Sequence, residues 1–239
     1  MRIKSYKQFK DFVGGYPKSG KLIYRGIGSQ FGLLPSISYN MERDGIRDID
    51  ILYQRGEMAQ RMFNDRFRKD FPNRMLTNYQ LVFLARHYKL ISSFMDFTFN
   101  DTIAIQFGME MAQDNAVHLF AMDITGERTF REEDGLPENI AVRIYQPNLV
   151  WNQDGFLTGE RTKFIQNARL VTQERETITT PFNGTFSDRI THYEIFPEDF
   201  NGIIQEIEQE GTRMAANLFI DSDDPLFEIA KQINEEILR

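Results

Sequence analysis

The chain has 239 residues, with 28 Lys and Arg against 35 Asp and Glu, and its formal charge of −7 excludes a broadly basic nucleic-acid binder. It contains no cysteine, which excludes disulfides, thiolate nucleophiles and cysteine-ligated zinc or iron–sulfur centres. Hydrophobic residues at 41% and charged residues at 26% are those of a globular protein, and no run approaches the roughly 18 apolar residues of a membrane span. With no charged-then-apolar leader, the expected location is cytoplasmic. Phe is abundant, 21 residues against one Trp, and rings of this size are expected mainly in the core.

Ser5 to Val13 places Tyr6, Phe9, Phe12 and Val13 at helical spacing, and Gly14-Gly15 supply a stop. Leu22-Ile23-Tyr24 predicts a short strand ending at Arg25-Gly26. From Ile46 to Phe71 the apolar positions mark a long amphipathic helix, which Pro72 terminates. A second helix is expected from an N-cap at Thr77, and a third after Asn100 or Asp101. The second half reads differently. Ala116–Ile124, Ala141–Tyr145, Ala168–Thr172 and Arg189–Ile195 predict strands, and Gly126–Asn139 a loop or insertion. In the last strand Ile190, His192 and Glu194 alternate with Thr191, Tyr193 and Ile195. Pro197 opens a helix running to Gly211, and another follows Asp224-Pro225. Helices early and strands late predict a segregated α+β fold, a helix-rich N-terminal half packed on a mixed or antiparallel sheet. No linker divides it, so one domain over residues 1–239 is expected.

Three segments carry residues fit for chemistry. In Tyr24-Arg25-Gly26, the Arg offers a fork of donors that matches phosphate or carboxylate oxygens, and the Gly lets a ligand or another backbone come close. A structural ion pair is the alternative role for Arg25. Arg86-His87-Tyr88-Lys89-Leu90 is followed by Ile91-Ser92-Ser93-Phe94-Met95-Asp96-Phe97-Thr98. There His87 is a proton carrier or a satisfied half-buried imidazole, and Asp96 serves a site or caps a turn or the next helix. In Gln173-Glu174-Arg175-Glu176, two carboxylates two residues apart share one face of an extended chain. The remaining imidazoles, His118 and His192, lie in unrelated segments without HxxxH or HExxH spacing, so no metal site is expected. No P-loop, no GxGxxG and no GxSxG elbow occurs.

Together these segments resemble the FRG domain, a bacterial family named for a Phe/Tyr-Arg-Gly motif. Tyr24-Arg25-Gly26 matches that motif, and Leu33-Leu34-Pro35-Ser36-Ile37 resembles the Leu-x-Pro-Ser-Leu/Ile that follows it. Glu57 with Phe63 and Phe67 resembles the family's Glu-led helix. Arg86 to Thr98 resembles its Gln-His-Tyr-Gly-Leu-Pro-Thr-Arg-Leu-Leu-Asp-Trp-Thr block, with His87, Tyr88, Leu90, Asp96 and Thr98 matching. Arg169-Leu170 with Gln173 resembles Arg-Leu-x-x-Gln-x-Gly-x-Phe. The sequence departs at Arg86 (Gln in the family), Lys89 (Gly), Ile91-Ser92-Ser93 (Pro-Thr-Arg), Phe97 (Trp) and Arg175 (Gly). A divergent member is expected, with altered specificity or none.

The Tyr-Arg-Gly strand also resembles the first motif of arginine–serine–glutamate ADP-ribosyltransferases. That resemblance implies an ADP-ribosyltransferase-like fold with NAD as substrate and no metal. Arg25, flanked by Tyr24 and Gly26, would hold the pyrophosphate, and Ser92 or Ser93 the nicotinamide ribose. Glu176 or Glu174 would be the catalytic carboxylate, stabilising oxocarbenium character at the ribose. His87, Tyr88, Asp96 and Gln173 would shape the pocket. The expected partners are a small nucleotide and a protein acceptor, with neither membrane nor nucleic acid. The alternative function is a non-catalytic module that binds a nucleotide or a protein. A nuclease is disfavoured by the charge and by the lack of a carboxylate cluster.

Overall fold

A computed structural model describes residues 1–16, 22–28, 36–37, 40, 45, 49–92, 94–98, 100–125, 129–130, 142–145, 169–172, 189–211 and 225–239. The helices are α1 (Tyr6–Gly14), α2 (Ile49–Asp70), α3 (Asn78–His87), α4 (Asp101–Ala112), α5 (Pro197–Gln209) and α6 (Pro225–Ile237). The strands are β1 (Arg2–Ile3), β2 (Leu22–Ile27), β3 (Phe94–Asp96), β4 (Val117–Asp123), β5 (Thr129–Phe130), β6 (Val142–Tyr145), β7 (Arg169–Thr172) and β8 (Ile190–Ile195). One sheet has the order β1-β8-β4-β2, antiparallel except for the parallel β1–β8 pair; the second has the order β3-β7-β6-β5. The architecture is α+β, but helices and strands are less segregated than expected: β1 and β2 flank α1, and α5 and α6 follow the last strand, α6 packing with α2 and α3.

The other differences from the sequence-based expectation are local. Strand β2 runs to Ile27, so Arg25 sits inside the strand rather than at its end. Strands β1 and β3 are two and three residues long, too short for any periodicity to register, and they exist because β8 and β7 supply partners. Strand β5 lies inside the segment expected to be a loop. Helix α5 ends at Gln209, and Gly211 takes the left-handed φ of 84° that favours glycine after a helix.

Two cores follow from the amphipathic faces. Helices α2, α3 and α6 enclose one, in which Phe63, Phe67, Leu81, Tyr88, Leu226 and Ile233 are at most 1% exposed. The other lies where α1, α4 and α5 cover one face of the β1-β8-β4-β2 sheet; Phe9 meets Tyr193 edge-on there at 5.4 Å. Helix α1 starts at Ser5, whose side chain accepts from the Gln8 N–H.

Helix α4 lies directly on β2. A Cβ built on Gly26 would stand 1.8 Å from the Ala104 carbonyl oxygen, and one on Gly28 would stand 2.2 Å from the Ala112 nitrogen. Neither neighbour is the movable tip of a side chain. The Gly of the Tyr-Arg-Gly motif therefore admits the helix backbone rather than a ligand, which settles the two roles its sequence position allowed. Gly26→Ala is expected to destabilise the chain by about 3 kcal/mol, the upper range of overpacking. Gly14→Ala, at a site with nothing within 4 Å, should be neutral or slightly stabilising. Denaturant unfolding of the two variants checks the contrast.

Candidate functional site

Alternation along β2 decides what the motif presents. Tyr24 and Gly26 face α4, so Arg25 projects from the opposite face with Ile23 and Ile27. Tyr24 is 8% exposed, its ring edge-on to Phe9 at 6.0 Å; burial and then Asp101 push its phenol above the ordinary range. Tyr24 thus belongs to the core and lies on the wrong face to line a pocket with Arg25. Gly26, on that same side, is likewise no ligand contact. Arg25 is half-buried, its Nε inaccessible to water. Around it the face is apolar: Ile23, Ile27, Phe97, Phe120, Met122 and Ile124 form one cluster.

The motif blocks, remote in sequence, are neighbours in space. Tyr24 and Thr98 exchange both backbone hydrogen bonds, at 2.7 and 2.8 Å, so the end of the Arg86–Thr98 block lies along the free edge of β2. That block leads directly from β3, which pairs with β7, Asp96 standing opposite Arg169 and Phe94 opposite Val171. The Leu-x-Pro-Ser segment joins through Ser36. Its hydroxyl accepts from the Ser92 N–H at 2.9 Å and from the Arg86 guanidinium at 3.0 Å, while the Ile37 N–H donates to the Ser92 carbonyl at 3.2 Å. Ser92 itself is 4% exposed.

Several departures from the family pattern have structural causes. Lys89 replaces a Gly and holds a φ of 63° just past α3. The Leu90 N–H reaches the Ala85 carbonyl and the Lys89 N–H the Arg86 carbonyl, the hydrogen-bond pair that ends a helix through a left-handed residue. The lost Gly thus belongs to a helix cap and says nothing about specificity. Arg86 helps close that cap, donating to the Leu90 carbonyl at 2.8 Å. Asn234 of α6 holds the turn from outside, accepting from the Ile91 N–H at 2.8 Å and donating to the Lys89 carbonyl at 3.0 Å. Phe97, in place of Trp, fills the apolar cluster beside Arg25 at 2% exposure.

One further expectation is corrected. Tyr88 is 1% exposed within the α2–α3–α6 core and lines no pocket. The cap of α4 is Asn100, whose side chain accepts from the Thr102 and Ile103 N–H groups. The backbone of Asp96 is in β3 and that of His87 ends α3; their side chains lie outside the described residues. So do Ser93, Gln173, Glu174 and Glu176.

The sheet also assembles a group that sequence spacing missed. His118 on β4 and His192 on β8 lie 74 positions apart, yet His118 Nδ1 and His192 Nε2 are 2.9 Å from each other. Glu194 stands opposite His118 in the β4–β8 register, its Oε1 3.9 Å from His118 Nδ1. The His192 ring stacks on Phe120 at 4.8 Å, and Phe120 stands between His192 and Arg25 in cross-strand register. Burial and then the neighbouring His118 hold His192 below the usual imidazole range. The only local signal was the His192/Glu194 alternation; both strands were legible, but their pairing was not.

Removing the Ser36 hydroxyl takes an acceptor from the Ser92 N–H and from the Arg86 guanidinium, so Ser36→Ala is expected to lower stability by about 1–2 kcal/mol. Lys89→Gly relieves the left-handed strain and should raise stability by about 0.5–1 kcal/mol, because glycine's greater unfolded entropy offsets part of the gain. Thermal and denaturant unfolding of both variants measure these opposite signs.

Comparison with known proteins agrees with these blocks. No curated protein and no solved structure matches the chain at significance. A family model does match, over residues 20–116, and its description is the FRG domain. The matched span runs from the approach to β2 to the start of β4 and contains Tyr24-Arg25-Gly26, Ser36 and the whole Arg86–Thr98 block; β6, β7, β8, α5 and α6 lie beyond it. Residues 20–116 thus match the FRG domain, and that segment is the part that joins β2, the Ser36 contacts and α4 into one unit.

Proposed function

We propose that the Arg25 face of the sheet binds a phosphate-containing nucleotide, with NAD the first candidate, in an ADP-ribosyltransferase-like site. The observation that carries this reading is the convergence of three remote segments. Strand β2 with Arg25, Thr98 with the β3 segment, and β7 leading to Gln173 run side by side. Loop closure over such separations is unfavourable unless a shared sheet holds the ends, and here backbone pairing does so. Arg25 supplies a guanidinium suited to phosphate oxygens, and the buried apolar side chains around it fix the strand that carries it. In this reading Ser92 or Ser93 supports the ribose, and Glu174 or Glu176, following β7, supplies the carboxylate that stabilises the oxocarbenium-like transition state. Ser92 serves through its backbone position, given its burial.

The test is incubation of the chain with labelled NAD, scored for binding, for hydrolysis and for protein labelling. Arg25→Ala is expected to weaken NAD binding at least about tenfold, the loss of a charge-assisted hydrogen bond of about 1.5–3 kcal/mol. Glu176→Gln is expected to leave binding intact and abolish turnover. Binding without turnover in the unmodified chain would instead favour a non-catalytic module. Unchanged binding in Arg25→Ala would end the nucleotide reading altogether.

A further inference from the structure

The cluster of His118, His192 and Glu194 lies outside the nucleotide reading. It stands on the sheet face that carries Arg25, one strand further on: Arg25, Phe120 and His192 are successive partners across β2, β4 and β8. One ligating atom from each of the three residues lies within 4.8 Å of the others, and all three residues are of intermediate exposure. The His118 side chain is 21% accessible and that of Glu194 37%, so an ion from solvent reaches both.

We propose that His118 Nδ1, His192 Nε2 and a Glu194 carboxylate oxygen bind one divalent transition-metal ion, zinc being the first candidate. The donor set decides the class. Two imidazoles and one carboxylate suit zinc and its neighbours, whereas calcium and magnesium require oxygen ligands throughout. Three protein ligands also leave a coordination position for water or a substrate oxygen, the arrangement of reactive rather than purely structural sites.

The geometry needs only small adjustment. Two nitrogens bound to zinc at about 2.0–2.1 Å are about 3.3 Å apart at the tetrahedral angle. The ring nitrogens here stand 2.9 Å apart, one donating its proton to the other. Binding moves that proton outward. His118 coordinates as the tautomer protonated on Nε2 and His192 as the one protonated on Nδ1, so neither ring loses a proton overall. The rings part by a few tenths of an ångström, and the half-exposed Glu194 carboxylate swings in. Phe120 limits rotation of the His192 ring and so preorganises that ligand.

The test uses the full chain with zinc and cobalt(II), by calorimetry and by the visible spectrum of the cobalt complex. One equivalent is expected to bind, with a rise in melting temperature that a chelator reverses. His118→Ala and His192→Ala should each weaken binding at least about tenfold, since even the loss of an outer hydrogen-bond partner has that effect. His118→Gln repeats the test with less disturbance of packing, and circular dichroism verifies that each variant is folded. No binding by the folded chain, or binding that survives both His118→Gln and His192→Ala, would overturn the proposal and leave a simple hydrogen-bonded pair. The readout is the metal itself, so failure of the nucleotide reading would not touch this result.

Discussion

The contact between the backbones of α4 and β2 is the constraint on which the rest of the molecule depends. At Gly26 and Gly28 the helix comes so close that no side chain fits between them. Such an approach maximises dispersion contact between two rigid elements and fixes their relative position. Because side chains alternate along a strand, committing Gly26 and Tyr24 to the helix commits Arg25 to the other face. The functional orientation of the motif is thereby a consequence of packing. A strand that slipped by one residue would bury the guanidinium under α4 and clash everywhere else.

A second layer of organisation is polar. The Arg86–Thr98 block has little regular structure, so its backbone groups need partners elsewhere. Ser36 supplies them on one side and Asn234 on the other. At its far end the block pairs with β2 through Tyr24 and with β7 through β3. A segment held at four points is rigid without being a helix or a long strand, which is what positioning a loop beside a ligand requires. The residues that depart from the family pattern sit within this frame. Lys89 tolerates the left-handed cap, and Phe97 keeps the apolar cluster filled.

The face that results is asymmetric. Near β2 buried apolar side chains surround Arg25; near β8 it carries two imidazoles and a carboxylate. Phe120 joins the two halves, standing between Arg25 and His192 in cross-strand register and stacking on the latter. An anion held at Arg25 and a cation held at the imidazoles would attract one another across this short span. The two proposals stand on separate residues of one sheet face.

The sequence by itself determined the class of the fold and most of its elements. Periodicity of 3.6 or 2 is local, so α1 to α6 and the longer strands β4 and β8 were legible, as was the family resemblance of Tyr24-Arg25-Gly26 and Arg86–Thr98. The absence of cysteine excluded whole chemistries outright. What the tertiary structure alone decided was adjacency. Two-residue and three-residue strands have no period to read and form only where a partner offers its edge. Whether Gly26 admitted a ligand or a helix, whether Tyr88 lined a pocket or a core, and which residue capped α4 were questions of what packs against what. The pairing of His118 with His192 is the clearest instance. Nothing within either segment refers to the other, and only the register of β4 against β8 brings two imidazoles and a carboxylate to one point.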